Sequence, residues 1–317
     1  MNLDHSLAER DASLLVLAPH PDDESLATGG LIQRALERRA RVRIAWITDG
    51  DNNPWPQRAL ERRVRIGASQ RVAWGIRRRG EAQHALRGLG AQDVATQRLG
   101  WPDGGVTWKL IGETAQAIAS LRTLIEDARP TLLVLPDLAD GHPDHSALHV
   151  LVELVLNGMP MERRPQCLCY LLHGRAPNDA PSRIVLKLTP QEQARKRVAI
   201  CAHKSQIALS RGRMLRNAGA FEYFAPGVGN HALSGPRLPW QPPRWLIPSM
   251  VLLAVDAQGG QRLTRCRDPR QANLCWRDGS PAAHAARAPQ PPYYVKLYAE
   301  LPSPWVFDHW GWRRFIA

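Results

Sequence analysis

An apolar run that ends abruptly in a histidine and three acids is the feature that most constrains this chain. The stretch reads LLVLAPHPDDESLATGG, and His20, Asp22, Asp23 and Glu24 follow the run. A short, fully apolar run is typical of a strand buried on both faces of a parallel sheet. Three adjacent carboxylates repel one another unless a positive charge lies beside them. The stretch therefore predicts a buried strand with a chemically active loop at its end.

Helix-like and strand-like segments alternate after this run. Residues 29–39 have helical spacing of apolar side chains, and VRIAWIT at 42–48 and TLLVL at 131–135 indicate further strands. Longer helices are expected at 112–128 and 190–207. This alternation predicts an α/β fold with a doubly wound, mainly parallel sheet flanked by helices.

The character of the sequence changes at about residue 225. A Pro- and Gly-rich connection follows, with strand candidates at 249–255 and 295–298. We therefore expect a main domain at 1–225 and, at 226–317, a connection with a small β-rich C-terminal appendage.

The composition is that of a globular protein with a substantial core, since 44% of the 317 residues are apolar. No apolar run is long enough for a membrane-spanning helix, and the N-terminus lacks the features of a secretory signal. We expect a cytoplasmic location, with peripheral association at the inner membrane as a second expectation. The five scattered cysteines are expected to be free thiols.

The net charge of +13 favours an anionic partner, such as a phosphorylated substrate, a membrane surface or nucleic acid. An arginine-rich genome would produce the same balance. The basic stretch at 62–79 supports a binding protein for nucleic acid or an anionic surface, with a vestigial site, as an alternative function. The chain has no recognised nucleic-acid motif, so no specific nucleic acid is expected.

A second cluster follows the strand at 131–135 and reads DGHPDH, from Asp140 to His145. Ligands of open α/β sheets bind outside the carboxyl ends of the strands, so two such loops converge if their strands are neighbours. Two histidines with one carboxylate form a common catalytic zinc set, although Fe(II), Co or Ni accept the same ligands. Either cluster alone would also fit a helix N-cap.

These two motifs resemble those of the PIG-L/LmbE-like family of metal-dependent N-acetylglucosamine deacetylases. The resemblance rests on APHPDDE followed by Gly29-Gly30, and on HPDH at 142–145. Weaker matches are TDG at 48–50, RRGE at 78–81, PDG at 102–104 and HKSQ at 203–206. The resemblance spans residues 13–224 and does not extend to the C-terminal segment.

The resemblance implies a Rossmann-like fold with one zinc, or another divalent metal such as Fe²⁺, at the strand ends. The implied metal ligands are His20, Asp23 and His145. The implied catalytic residues are Asp22 as general base, His142 as oxyanion stabiliser or acid, and Asp144 as the group that orients His142.

Further residues match positions that hold substrate or support the site. Arg78 and Asp103 match positions that hold the sugar or its substituent. The residues expected to support the site from behind are Glu24, His203, Ser205 and Gln206. Whether Asp22 or His142 protonates the leaving amine stays open.

The function expected from the motifs is hydrolysis of the N-acetyl group of a GlcNAc-type amino sugar. The sugar is expected on a glycoconjugate or polysaccharide precursor, with an anionic or lipid carrier as a further expectation. A metal-dependent amidase on a non-sugar substrate is another alternative. The sequence indicates no oligomeric state.

Overall fold

The computed structural model describes residues 3–174, 183–227, 232–234, 240, 242–265, 293–301 and 306–316. Its strands are β1 (Ser13–Ala18), β2 (Arg41–Thr48), β3 (Ala95–Trp101), β4 (Leu132–Pro136), β5 (Gln166–Tyr170), β6 (Ile184–Lys187), β7 (Phe221–Pro226), β8 (Ala232–Ser234), β9 (Met250–Val255), β10 (Gln261–Arg265), β11 (Tyr293–Ala299) and β12 (Arg313–Ile316). Its α-helices are α1 (Leu3–Ala8), α2 (Asp23–Glu37), α3 (Pro54–Glu61), α4 (Ala68–Leu89), α5 (Val106–Gly112), α6 (Thr114–Ala128), α7 (Pro143–Asn157), α8 (Pro190–Ala202) and α9 (Lys204–Leu215).

The main sheet has seven strands in the order β3-β2-β1-β4-β5-β7-β6. The first five are parallel to one another, and β7 pairs antiparallel with both β5 and β6. The α/β fold with a mainly parallel sheet is thus confirmed. β1 and β4 are direct neighbours, with Leu14 opposite Leu132, so the loops that follow them lie at one edge of the sheet.

The complete burial of β1 and β4 explains why their sequences are unbroken apolar runs. Every residue of both strands is buried, and separate clusters of apolar side chains cover the two faces of the sheet. On one face, Gly30 of α2 lies close to the side chain of Leu188. A Cβ at this position would be 2.2 Å from a methyl carbon of Leu188, so a larger residue would require that side chain to move.

Of the two longer helices expected, one is confirmed and the other is divided in two. The helix expected at 112–128 is α6, which begins two residues later, after Glu113, whose φ of −137° is not helical. The helix expected at 190–207 is broken at His203, where φ is −76° and ψ is 60°. This break turns the buried His203 ring towards the strand ends, with Nε2 3.2 Å from the hydroxyl of Ser25.

A second sheet of five strands, in the order β10-β9-β11-β12-β8, confirms the β-rich C-terminal segment. The domain boundary at 225 stays a prediction. Among the described residues, Cys167, Cys169 and Cys201 are free thiols, while Cys266 and Cys275 lie outside the described residues. None of the described helices combines the length and the apolar character that a membrane crossing needs.

Candidate metal and catalytic site

The two motif loops meet at the carboxyl ends of β1 and β4. His20 lies in the loop after β1, and Asp23 is the first residue of α2. Pro143 opens α7, as is common at a helix start, and His145 follows in its first turn. Each side chain is therefore held at the start of a helix that packs on the sheet.

Three side-chain atoms form a nearly equilateral triangle. His20 Nδ1 lies 3.3 Å from Asp23 Oδ2 and 3.4 Å from His145 Nε2, and the last two atoms are 3.2 Å apart. Ligands that bind a tetrahedral metal at about 2.0–2.1 Å are separated by about 3.3–3.4 Å. The donor set therefore fits a divalent metal in both chemistry and spacing. Overlapping groups that could also hold a metal ion include His142, His173, Asp103 and Asp144.

Carboxylates support both imidazoles of this triangle from behind. Asp140 Oδ2 lies 3.3 Å from His145 Nδ1, and His20 Nε2 lies 3.1 Å from Asp103 and 3.2 Å from Asp144. Such contacts fix the orientation of a ligating histidine and raise its basicity.

Asp144 has a different partner from the expected one. Its carboxylate accepts hydrogen bonds from the backbone N–H groups of Gly104 (2.7 Å) and Val106 (3.0 Å) and contacts His20 rather than His142. It is the backbone N–H of Asp144 that bonds to His142, at Nδ1 (3.2 Å). The side chain of Asp144 therefore orients His20 and anchors the loop around 104–106.

The pKa values of the triangle reflect its close packing. Burial favours the neutral form of Asp23, but His145 and His20 outweigh it and hold the pKa of Asp23 well below its usual range. Burial lowers the pKa of His145, but Asp23 and Asp140 outweigh it and raise that pKa to about 10. The carboxylates thus concentrate negative charge on this corner, which favours a bound cation.

Asp22 lies beside the triangle with an unusual backbone. Its φ of 152° is rare for a residue other than glycine, and such strain often occurs at functional sites. Arg78 Nη2 is 3.2 Å from Asp22 Oδ1, and the same guanidinium donates to the carbonyls of Gly50 and Pro21. Burial raises the pKa of Asp22 to about 6, although Arg78 opposes the shift.

His142 caps α7 and contacts the triangle through its ring. The ring centroids of His142 and His20 are 4.6 Å apart, and those of His142 and His145 are 5.1 Å apart. Burial and the charges of His20 and His145 hold the pKa of His142 well below its usual range. Because Nδ1 accepts the Asp144 N–H, the neutral ring carries its proton on Nε2.

The expected supporting residues form two groups. Glu24 is fully buried and accepts hydrogen bonds from Trp46 Nε1 (2.9 Å) and Ser25 Oγ (2.7 Å), and His203 Nε2 lies 3.4 Å from it. Glu24 also accepts the backbone N–H of Asp22 (3.1 Å), so this group holds the Asp22 backbone.

Ser205 and Gln206 belong to the second group, which lies beside the first. The hydroxyl and backbone N–H of Ser205 donate to Glu81, and Gln206 accepts from Asn53 Nδ2 (3.0 Å). Both residues therefore join α9 to α4 and to the loop before α3. Substrate binding by Arg78 and Asp103 stays a prediction, since their contacts named above are with protein groups.

Two residues with aromatic rings lie at this site but were not predicted from the sequence. His173, after β5, has its ring centroid 5.0 Å from that of His145, and burial lowers its pKa to about 4. Its position after a third parallel strand was a usable signal. Phe307, in the C-terminal segment, has its ring centroid 5.1 Å from His173 and 6.1 Å from His142. Nothing local in the sequence marks Phe307.

Comparisons with known proteins agree with the interpretation of the two sequence motifs. The family model PIG-L, GlcNAc-PI de-N-acetylase, matches residues 15–156. Two curated relatives are named 1D-myo-inositol 2-acetamido-2-deoxy-alpha-D-glucopyranoside deacetylase. The one from Mycobacteroides abscessus is 33% identical over 44% of this chain and 53% of its own. The one from Mycolicibacterium vanbaalenii is 31% identical over 44% of this chain and 52% of its own.

The chain thus spans about half the length of the curated relatives it matches. A solved structure of a deacetylase triple mutant from the teicoplanin biosynthetic pathway is similar in fold. It is 20% identical, with a TM-score of 0.54, and the match covers 68% of this chain and 97% of that chain. The resemblance expected from the motifs is therefore confirmed, and the solved deacetylase structure has a fold of the same type.

Proposed function

We infer, because residues 15–156 match the model of the PIG-L family, GlcNAc-PI de-N-acetylase, that this chain is a divalent-metal-dependent deacetylase of an N-acetylated, GlcNAc-type amino sugar. The observation that carries the proposal is the triangle of His20, Asp23 and His145, with separations of 3.2–3.4 Å. We propose zinc as the metal, because its common catalytic set is three protein ligands with one open position. Fe²⁺ accepts the same donors.

The bound metal would supply a water whose pKa is lowered to about 7 and a positive charge near the amide oxygen. His20, Asp23 and His145 hold the ion. Asp22 adjoins this set in the chain, and its carboxylate takes the proton of the attacking water. Arg78 holds Asp22 Oδ1 and two neighbouring backbone carbonyls, so the base keeps a single orientation.

His142 supplies the polar group on the other side of the site. The N–H at its Nε2 can donate a hydrogen bond to the developing oxyanion. The leaving amine takes its proton either from Asp22, once Asp22 has accepted one from the water, or from His142 if its ring is protonated in the substrate complex. Variants of Asp22 and His142 would distinguish the two routes, because the residues essential for turnover differ between them.

The first test is acetate release from N-acetylglucosaminyl substrates. We expect the purified protein to release acetate, to lose this activity in a chelator such as dipicolinate, and to regain it with Zn²⁺ or Fe²⁺. Simple N-acylated amino acids in the same panel test the non-sugar amidase alternative. A metal-loaded protein that is inert on all N-acetyl sugars would contradict the proposed function.

An arginine-rich arm, residues 54–77, indicates what kind of carrier the sugar has. Six arginines and one glutamate lie in this range. Apolar side chains are exposed in the same range, among them Trp55 (54%), Val64 (85%) and Val72 (60%). Basic residues interspersed with exposed apolar ones are typical of segments that lie in an anionic lipid interface.

The residues that flank the arm on both sides contact residues of the site. Before it, the backbone N–H of Asn52 donates to Asp103 Oδ2 (2.8 Å), and after it Arg78 contacts Asp22. An arm seated on a lipid surface would therefore bring the catalytic corner close to a lipid-carried sugar. We propose peripheral association with an anionic membrane, and a lipid or similarly anionic carrier for the substrate.

Charge reversal tests the arm. The variant Arg62→Glu, Arg63→Glu, Arg65→Glu should lose at least about tenfold in affinity for vesicles with anionic phosphatidylglycerol, because each basic residue at such a surface is worth about 1 kcal/mol. Co-sedimentation measures the affinity. The matched control reverses the exposed Arg10, Arg195 and Arg197 and should bind like the wild type. Equal losses in both variants, or tight binding to random DNA in place of vesicles, would contradict the membrane proposal.

A further inference from the structure

The C-terminal sheet is docked on α7, the helix that carries the second motif. Tyr294 of β11 donates its hydroxyl proton to the buried Glu153 of α7, and Arg314 Nε lies 3.5 Å from the same carboxylate. Tyr294 and Trp312 are fully buried in the core that also contains the apolar residues of α7. This docking fixes the sheet relative to the catalytic corner.

The segment that leads into β12 then crosses the start of α7. The backbone N–H of Asp308 donates to the carbonyl of Gly141 (2.8 Å), directly before His142. The Asp308 carboxylate pairs with Lys296 of β11, whose side chain is buried. Phe307 is thereby held with its ring against His142 and His173, at centroid distances of 6.1 Å and 5.1 Å.

We propose that Phe307 is a specificity-determining residue whose ring contacts the apolar C–H face of the sugar. The inference rests on the proposed function and extends it to residues outside the segment that matches the family. Phe307 is only half-buried, and its ring lies next to the rings of His142 and His173. Aromatic rings provide a large apolar contact area, which suits the C–H face of a pyranose.

The distance between the Phe307 ring and the triangle of His20, Asp23 and His145 favours contact with the sugar rather than with the acetyl group. Phe307 contacts His142 and His173, and these imidazoles in turn contact His20 and His145. The ring is thus one imidazole removed from the atoms that would bind the metal. An acetyl methyl is a single bond away from the reacting carbonyl carbon and does not extend that far, whereas the amino sugar does.

The test compares Phe307→Leu and Phe307→Tyr with the neighbouring control Val306→Ala, whose side chain is half exposed. KM and kcat are measured for an N-acetylglucosaminyl glycoside, and the Kd of the corresponding free amino sugar is measured by calorimetry. We expect Phe307→Leu to raise both KM and Kd about five- to tenfold with little change in kcat, because an aromatic contact is lost. Phe307→Tyr and the control should stay close to the wild type.

Three results would overturn this inference. Unchanged KM and Kd in Phe307→Leu would show that the ring does not contact the sugar. A fall in kcat alone would place its effect on His142. A similar loss in Phe307→Tyr would point to a packing defect, which the thermal midpoints of the variants check. A wild-type protein that neither releases acetate nor binds the amino sugar would remove the proposed function itself.

Discussion

Asp22→Asn is expected to keep its bound metal and lose about 10²- to 10⁴-fold in kcat, whereas Asp23→Asn loses the metal itself. The reason is the different placement of two adjacent carboxylates. Asp23 Oδ2 lies 3.2–3.3 Å from nitrogen atoms of both His145 and His20, as a third metal ligand would. Asp22 instead pairs with Arg78 at 3.2 Å, where its carboxylate can act as a base.

Metal content per chain and acetate release, measured on the same samples, check this asymmetry. Asp127→Asn, a substitution of an exposed carboxylate on α6, is the matched control and should alter neither quantity. Loss of metal from both site variants would make Asp22 a ligand. Full turnover by Asp22→Asn would exclude it as the base.

Glu222→Ala is expected to reduce the free energy of unfolding by about 3–5 kcal/mol, because it leaves a buried lysine without its counter-charge. Lys196 Nζ lies 2.6 Å from Glu222 Oε1, and both side chains are 1% exposed. Glu222 also accepts the backbone N–H groups of Gly30 (2.6 Å) and Leu31 (2.9 Å). The carboxylate therefore joins α8 to α2, the helix that begins with the proposed metal ligand Asp23.

Urea unfolding of three variants measures this effect. Glu113→Ala removes the exposed pair with Lys109 and should cost less than about 1 kcal/mol. The double variant Lys196→Met, Glu222→Met should recover part of the loss, because no charge is then left buried, although the backbone N–H groups of Gly30 and Leu31 lose their carboxylate acceptor. A cost of under about 1 kcal/mol for Glu222→Ala would contradict the expected role.

Much of the site was predictable because its residues lie in two short, local motifs. His20 and Asp23 follow one apolar run, and His145 follows another, so parallel pairing of these runs brings them together. Hydrophobic periodicity also located most strands and helices of the main domain. It could not locate the break at His203, since there the local spacing is helical and tertiary contacts decide the backbone.

What the sequence by itself determined is the fold class, the converging strand ends and the donor set of the proposed metal site. These follow from local patterns, since period and residue type are properties of short stretches. Only the tertiary structure decided that Asp144 supports His20, and that Phe307 reaches His142 from the C-terminal sheet. Each of these contacts joins residues more than 100 positions apart, and such pairings depend on how whole elements pack.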